Sequence, residues 1–426
     1  MTQLLETLPY TLRVGVLLAA CVLAPGTFAN ALESEPTLAT ATLLPAGTPL
    51  SGAGWSLPEE TQVASYLGQF RFTTDWGVIE AQGREIALER IAEMPALARI
   101  DEVSRGEVFA DAIRQSAART GQSVARVLTQ PVETVKGIPA GLGRLITKTA
   151  GGVRRVAQRV GDAVAEDRRK DGESSSGASE GERLTDFARE SFGLNKARRA
   201  LAQPLGIDPY TRNPLLGERL ERLAWAAVAG GASMDLALGA LSGGVSNVVS
   251  VAGQLDDLVW DLPPADIRDR LEKRLVAQGA NGRAAREWLR APVFSPSLQV
   301  RMVTAIEALG SLRGLDEVLA LATRVQSEAH ARFLIQQLEM LAGAGRGDPI
   351  VELRALEQSI MARTRAAVPV IALPVDHLSW TDPVERADRR RSGRILIAGS
   401  LSERAREELS ARGWRIETDK GWPPRT

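Results

Sequence analysis

Ser295-Pro296-Ser297-Leu298-Gln299-Val300-Arg301-Met302-Val303-Thr304-Ala305-Ile306-Glu307-Ala308-Leu309-Gly310 reads as one fully punctuated helix. The Ser295 hydroxyl can accept from an unpaired N–H of the first turn, and Pro296 has no N–H to lose there. Gly310 can adopt the backbone conformation that ends the run. The same grammar recurs along the chain. Asn213-Pro214 opens a helix through about Val228, Ser327 opens one to Leu341, and Asp348-Pro349 repeats the start. Gly314 and Gly343 to Gly347 fall where helices should stop. Such helices joined by short loops describe an antiparallel bundle or a stack of helix pairs. No fixed-period repeat is present.

Outward from this centre the pattern changes. Gln69-Phe70-Arg71-Phe72-Thr73 alternates, Asp75-Trp76-Gly77 supplies a turn, and Val78-Ile79-Glu80-Ala81 resumes, which predicts a β-hairpin. Arg84 to Met94 follows as a helix stopped by Pro95, and Val108 to Ala118 as another. At the far end, Val368 to Leu373, Arg394 to Ala398 and Trp414 to Glu417 are strand-like. Ser400 and Glu403 form a capping box over a helix from Leu401 to Ala411, giving a compact βαβ unit. The expected fold is therefore mainly α: a helical bundle with an N-terminal β-hairpin and a small C-terminal α/β (βαβ) portion.

The organisation that follows is a signal peptide over 1–31, an N-terminal region over 32–165, a linker over 166–183, a helical bundle over 184–345 and an α/β region over 346–426. Leu32 to about Ser51 lacks periodicity and reads as an extended leader. Glu166 to Glu182 has no large apolar residue and cannot bury enough surface to offset its ordering entropy.

The first residues give an address. Arg13, the apolar run Val14 to Ala24, Pro25-Gly26 and then Ala29-Asn30-Ala31 have the order of a cleavable secretory signal, with Ala29 and Ala31 at its exit. The expected location is the periplasm of a bacterium, or the medium. Leu18-Ala19-Ala20-Cys21 offers a second reading, a lipoprotein anchored through Cys21. Cys21 is the only cysteine, so under either processing the folded body has no disulfide and no cysteine nucleophile. Removing Arg13 and Glu6 leaves the net charge at zero. That excludes a protein built to bind nucleic acid, whose affinity rests on many uncompensated bases.

Charge is concentrated in one place. Between Pro131 and Gly161 an apolar stripe is flanked by Lys136, Arg144, Lys148, Arg154, Arg155 and Arg159, against the single acid Glu133. The plain reading is a helix packed on its own domain with its bases solvated; the functional alternative is an anionic membrane surface or an acidic partner such as another envelope protein. Leu236 to Leu255 carries no charge and contains Gly239-x-x-x-Gly243, but Ser, Gly, Asn and Gln dilute it. Packing inside the fold explains it better than membrane insertion, which stays a third alternative.

Candidates for chemistry are few. His330 lies mid-helix with no metal-ligating partner at i+4. Asp376 and His377 follow a strand, where α/β proteins often place working residues, yet no Gly-x-Ser-x-Gly turn accompanies them. The acidic run Asp256, Asp257, Asp261, Asp266, Asp269 lacks a calcium-loop frame. Ala398-Gly399-Ser400 is too sparse in glycine for a phosphate loop. No cofactor or metal is expected. The sequence favours an exported, non-catalytic binding or scaffolding protein. The alternative is a hydrolase-like enzyme at Asp376 and His377, which would need His377 in a concave site with a second polar group in reach.

Overall fold

The computed structural model describes residues 32–105, 180–229, 241, 255–345, 347–387 and 392–418. The signal segment with Cys21, Ala29 and Ala31, the helix at 108–118 and the basic stripe lie outside them. So do nearly all of 236–255 and the linker up to 179.

The mainly-α expectation is overturned. About half the structure is helix and a fifth is strand, arranged in an antiparallel six-stranded sheet, a mixed five-stranded sheet and a two-stranded pair. The first sheet holds β1 (Thr37–Ala39), β2 (Ser51–Gly52), β3 (Trp55–Ser56), β4 (Glu60–Ala64), β5 (Leu67–Thr74) and β6 (Gly77–Gln82), with helix α1 (Thr40–Leu43) after β1. Its order is β1-β4-β5-β3-β2, with β6 on the other side of β5. The hairpin read at 69–81 is β5–β6, in a register that pairs Phe72 with Ile79. The four other strands come from the supposed leader and its continuation. Strands β1, β2 and β3 have two or three residues each, too short to show a period, and β4 alternates in burial but carries only Val63 as a large apolar residue, so pairing to β5 and its neighbours makes them strands.

One face of this sheet is apolar. Phe70, Phe72, Ile79 and Ala81 point inward and pack with Ile86, Met94, Leu97 and Ile100 of α2 (Arg84–Arg105). Helix α2 runs through Pro95 rather than stopping there. Its apolar face is buried on both sides of the proline, and tertiary packing outweighs the lost hydrogen bond.

The helices that follow are α3 (Glu180–Leu205), α4 (Pro214–Ala229), α5 (Asp257–Asp261), α6 (Pro264–Ala277), α7 (Gly282–Trp288), α8 (Pro296–Leu309), α9 (Leu315–Thr323) and α10 (Glu328–Ala344). Helix α3 takes in the last residues of the expected linker. Asn213 Oδ1 accepts from the Leu215 and Leu216 N–H groups, Ser295 from Leu298, and Ser327 from His330. These caps are the ones the sequence announced. Leu271, Trp288, Val303, Ile306, Leu334 and Leu338 form the core between these helices.

The second sheet is β13 (Trp414–Thr418), β11 (Gly393–Ile397), β9 (Pro369–Leu373), β8 (Ile360–Thr364) and β7 (Ile350–Ala355), in that order. Strands β9, β11 and β13 are parallel and β7–β8–β9 antiparallel. Asp348-Pro349 thus precedes an edge strand instead of a helix, a position where proline's missing donor costs nothing. Helix α10 lies against β8 and β9. Helix α11 (Asp382–Ala387) follows β9, and α12 (Glu403–Ala411) connects β11 to β13. The cap of α12 is Ser402, not Ser400.

Candidate functional site

Beyond the C-terminal ends of β9 and β11 the two chains separate and then pair again as β10 (His377–Leu378) and β12 (Ser400–Leu401). The break is tight. A Cβ on Gly399 would sit 2.2 Å from the Val375 carbonyl oxygen and 2.3 Å from that of Asp376, so only glycine fits. His377 and Ser400 face each other across the pair, with His377 Nδ1 2.8 Å from Ser400 Oγ.

The N-terminal sheet docks on this junction through an unusual turn. Ser65 and Tyr66 join β4 to β5 with φ of 52° and 66°. Both central residues of such a hairpin turn take left-handed backbone, which glycine or asparagine normally supplies. Here Glu35 holds the turn, accepting from Ser65 N (2.9 Å) and Tyr66 N (2.6 Å). The Tyr66 carbonyl then accepts from the N–H groups of Asp376 and His377. Its hydroxyl pairs with Thr381. Glu33 adds a clamp: its backbone N–H donates to the Trp380 carbonyl, and its carboxylate accepts from Trp380 N (2.6 Å) and Ser402 Oγ (2.5 Å).

Asp376 is the centre of this joint. Its carboxylate accepts from Gly68 N at 2.7 Å and from Arg84 N at 3.0 and 3.2 Å. Burial pushes its pKa up to about 6, against the pull of those N–H groups and of Arg84. His377 moves down, because partial burial disfavours its charged form more than Glu33 favours it. Asp376 and His377 are thus adjacent in sequence but divided in role. The first binds the N-terminal sheet, and the second meets Ser400.

A second polar assembly lies behind the first, between α2, α8 and α10. Arg332 reaches Glu85 (2.8 Å), Glu89 (2.5 Å) and Glu328 (2.8 Å). Arg301 bridges Glu85 and Glu339, and Arg90 bridges Glu93, Glu89 and Glu328. Glu93 also accepts from Thr211 and Asn213. Burial raises Glu93 and Glu339, whereas Arg301 and Arg332 outweigh burial at Glu85 and hold it below the usual range.

Two open spaces adjoin these groups. One, between Arg84, Asp376, Arg332 and Gln336, has a volume of ≈ 20 Å³. That is room for about one water. The other is an open cleft of ≈ 460 Å³ lined by residues of β5 and β6, by Ile86 of α2 and by the start of α10. Gln69, Arg71, Glu80, Gln82 and Glu328 line it together with Phe70 and Ile86.

No family model, curated protein or solved structure matches this chain. Function must therefore be argued from the residues. Among the described residues no cluster of His, Cys, Asp or Glu is arranged to hold a metal, and no helix is long and apolar enough to cross a membrane. His330 places Nε2 2.9 Å from the Gln358 carbonyl. Asp256 caps α5, and Asp266 sits in the first turn of α6, both helix-terminal positions. Sequence reasoning missed Glu33, Glu35, Tyr66, Arg84 and the arginines of the buried assembly. The i, i+4 series Glu85, Glu89, Glu93 was the one visible signal.

Proposed function

We propose that the chain is a non-catalytic binding or scaffolding protein of the cell envelope, exported by its N-terminal leader. Its expected partner is an anionic membrane surface or another envelope protein. The bonding of Asp376 carries this reading. A general acid or base must turn a lone pair or proton toward substrate. Asp376 gives both oxygens to backbone N–H groups, and the space beside it admits about one water. The open cleft beside β5–β6, lined by Gln69, Arg71, Glu80, Gln82 and Glu328, supports the binding half by offering amide and charged groups to a partner.

The membrane partner rests on Lys136, Arg144, Lys148, Arg154, Arg155 and Arg159. Vesicles of phosphatidylglycerol should co-sediment with the full chain at low salt. Reversing all six charges to Glu should weaken binding more than ~100-fold, at about 1 kcal/mol per charge. Equal binding by both proteins would remove the lipid partner.

One observation favours a second reading, a hydrolase using Ser400 as nucleophile and His377 as base. The two are hydrogen-bonded, and His377 is biased toward its neutral form. A fluorophosphonate probe separates the readings. We expect no labelling of Ser400. Labelling that disappears in both Ser400→Ala and His377→Ala would replace the scaffold by the enzyme.

A further inference from the structure

The two edges of the five-stranded sheet end differently. At β7 the loop before α9 closes the edge: Arg313 N donates to the Val351 carbonyl at 3.1 Å, and the Arg313 carbonyl accepts from Leu353 N at 2.8 Å. At the other edge β13 pairs with β11, and among the described residues no second strand pairs with it. An open strand edge presents main-chain donors and acceptors to another strand.

The side chains of β13 sort by face. Trp414 and Ile416 join the apolar cluster of Ile395, Ile397, Ala405 and Leu409 on the α12 side. Arg415 and Glu417 alternate to the opposite face, where Arg394 of β11 meets Glu417 at 2.9 and 3.0 Å. Arg415 is 80 % exposed, and its ion pair among the described residues is a 3.5 Å contact to the same Glu417.

Trp414-Arg415-Ile416-Glu417-Thr418 is its own complement. Laid antiparallel against a second copy about a two-fold axis through Ile416, it sets Arg415 opposite Glu417 of the other copy, and Glu417 opposite the other Arg415. Opposite charges directly across an antiparallel pair attract. Ile416 meets its counterpart at the axis, on the apolar face. A slip of two residues sets arginine against arginine or glutamate against glutamate, so charge also fixes the register.

We infer that β13 is a self-association edge: two copies of this chain pair β13 with β13 and join their sheets into one, five strands from each copy. A pair of five-residue strands buries less surface than a standard interface, so the dimer is weak, of micromolar strength. The pairing uses no residue of the cleft, the junction or the basic stripe, and stands independently of the scaffold reading.

Sedimentation of the full chain over a concentration series tests it. Wild type should pass from monomer to dimer. Arg415→Glu and Glu417→Arg should each raise the dimer dissociation constant by about tenfold or more, because two attractive cross-strand pairs become repulsive. Arg270→Glu, at an exposed position of α6, should leave it unchanged. Mixed in equal amounts, the two β13 variants should re-form a dimer of near wild-type strength, since each Glu of one chain then faces an Arg of the other. A folding defect cannot produce that recovery. Should Glu417→Arg unfold on losing Arg394, the exposed Arg415→Glu set against Arg270→Glu still decides. A dimer equally tight in wild type and Arg415→Glu, or folded variants that do not recover on mixing, overturns the inference. So does a wild type that stays monomeric throughout, which leaves the edge to a strand of another protein.

Discussion

Arg332→Ala is expected to lower the unfolding free energy by about 3–5 kcal/mol, the cost of stranding buried charge. The side chain is 8 % exposed and ends among Glu85, Glu89 and Glu328 at 2.5–2.8 Å. Its removal leaves Glu328 to Arg90, Glu85 to Arg301 and Glu89 to a shared contact with Arg90. Five acids would then face two bases in a desolvated space. The mid-point of urea unfolding should fall with an unchanged slope, because the denatured surface is the same. Arg71→Ala provides the scale: its partner Glu80 is solvated, and an exposed pair contributes about 1 kcal/mol or less. Equal effects from the two variants would show that water reaches the space between α2 and α10.

That same assembly explains where sequence reading stops. On α2 the apolar residues Ile86, Leu88, Ile91 and Met94 mark the sheet-facing side, which makes Glu85, Glu89 and Glu93 look like a solvated face. Whether acids are solvated or buried depends on what lies opposite, and the opposing arginines come from more than two hundred residues away. Short-range chemistry was legible. The caps Asn213, Ser295 and Ser327, the hairpin β5–β6 and strands β9, β11 and β13 all follow from local rules. Strands β1 to β4 and β7 were not, since pairing and edge position create them. The junction shows both limits. Asp376 and His377 stood out beside a strand end, but Ser400, Glu33 and the Ser65-Tyr66 turn belong to it only through the meeting of two sheets.

The junction should also respond to pH in a definite direction. Asp376 has its folded pKa at about 6, against an ordinary value of 3.8. Between these values the folded chain holds a proton that the unfolded chain has released. Stability therefore decreases as pH rises from about 4 to about 6, and this contribution is flat above that window. The shift corresponds to about 3 kcal/mol at most. Asp208, also at about 6 through burial, acts with the same sign. So do Glu93 and Glu339, while Glu85 and His377 act oppositely. The Asp376→Asn curve subtracted from the wild-type curve isolates one group from these. Asn keeps an acceptor for the Gly68 or Arg84 N–H and cannot ionise. The variant should gain on wild type steadily from pH 4 to 6 and hold a constant offset beyond. A difference that stays level across the whole window means Asp376 titrates as a solvated carboxylate. In that event the two sheets are not closed over it, its oxygens are free to act beside His377 and Ser400, and the hydrolase becomes the better reading of the site.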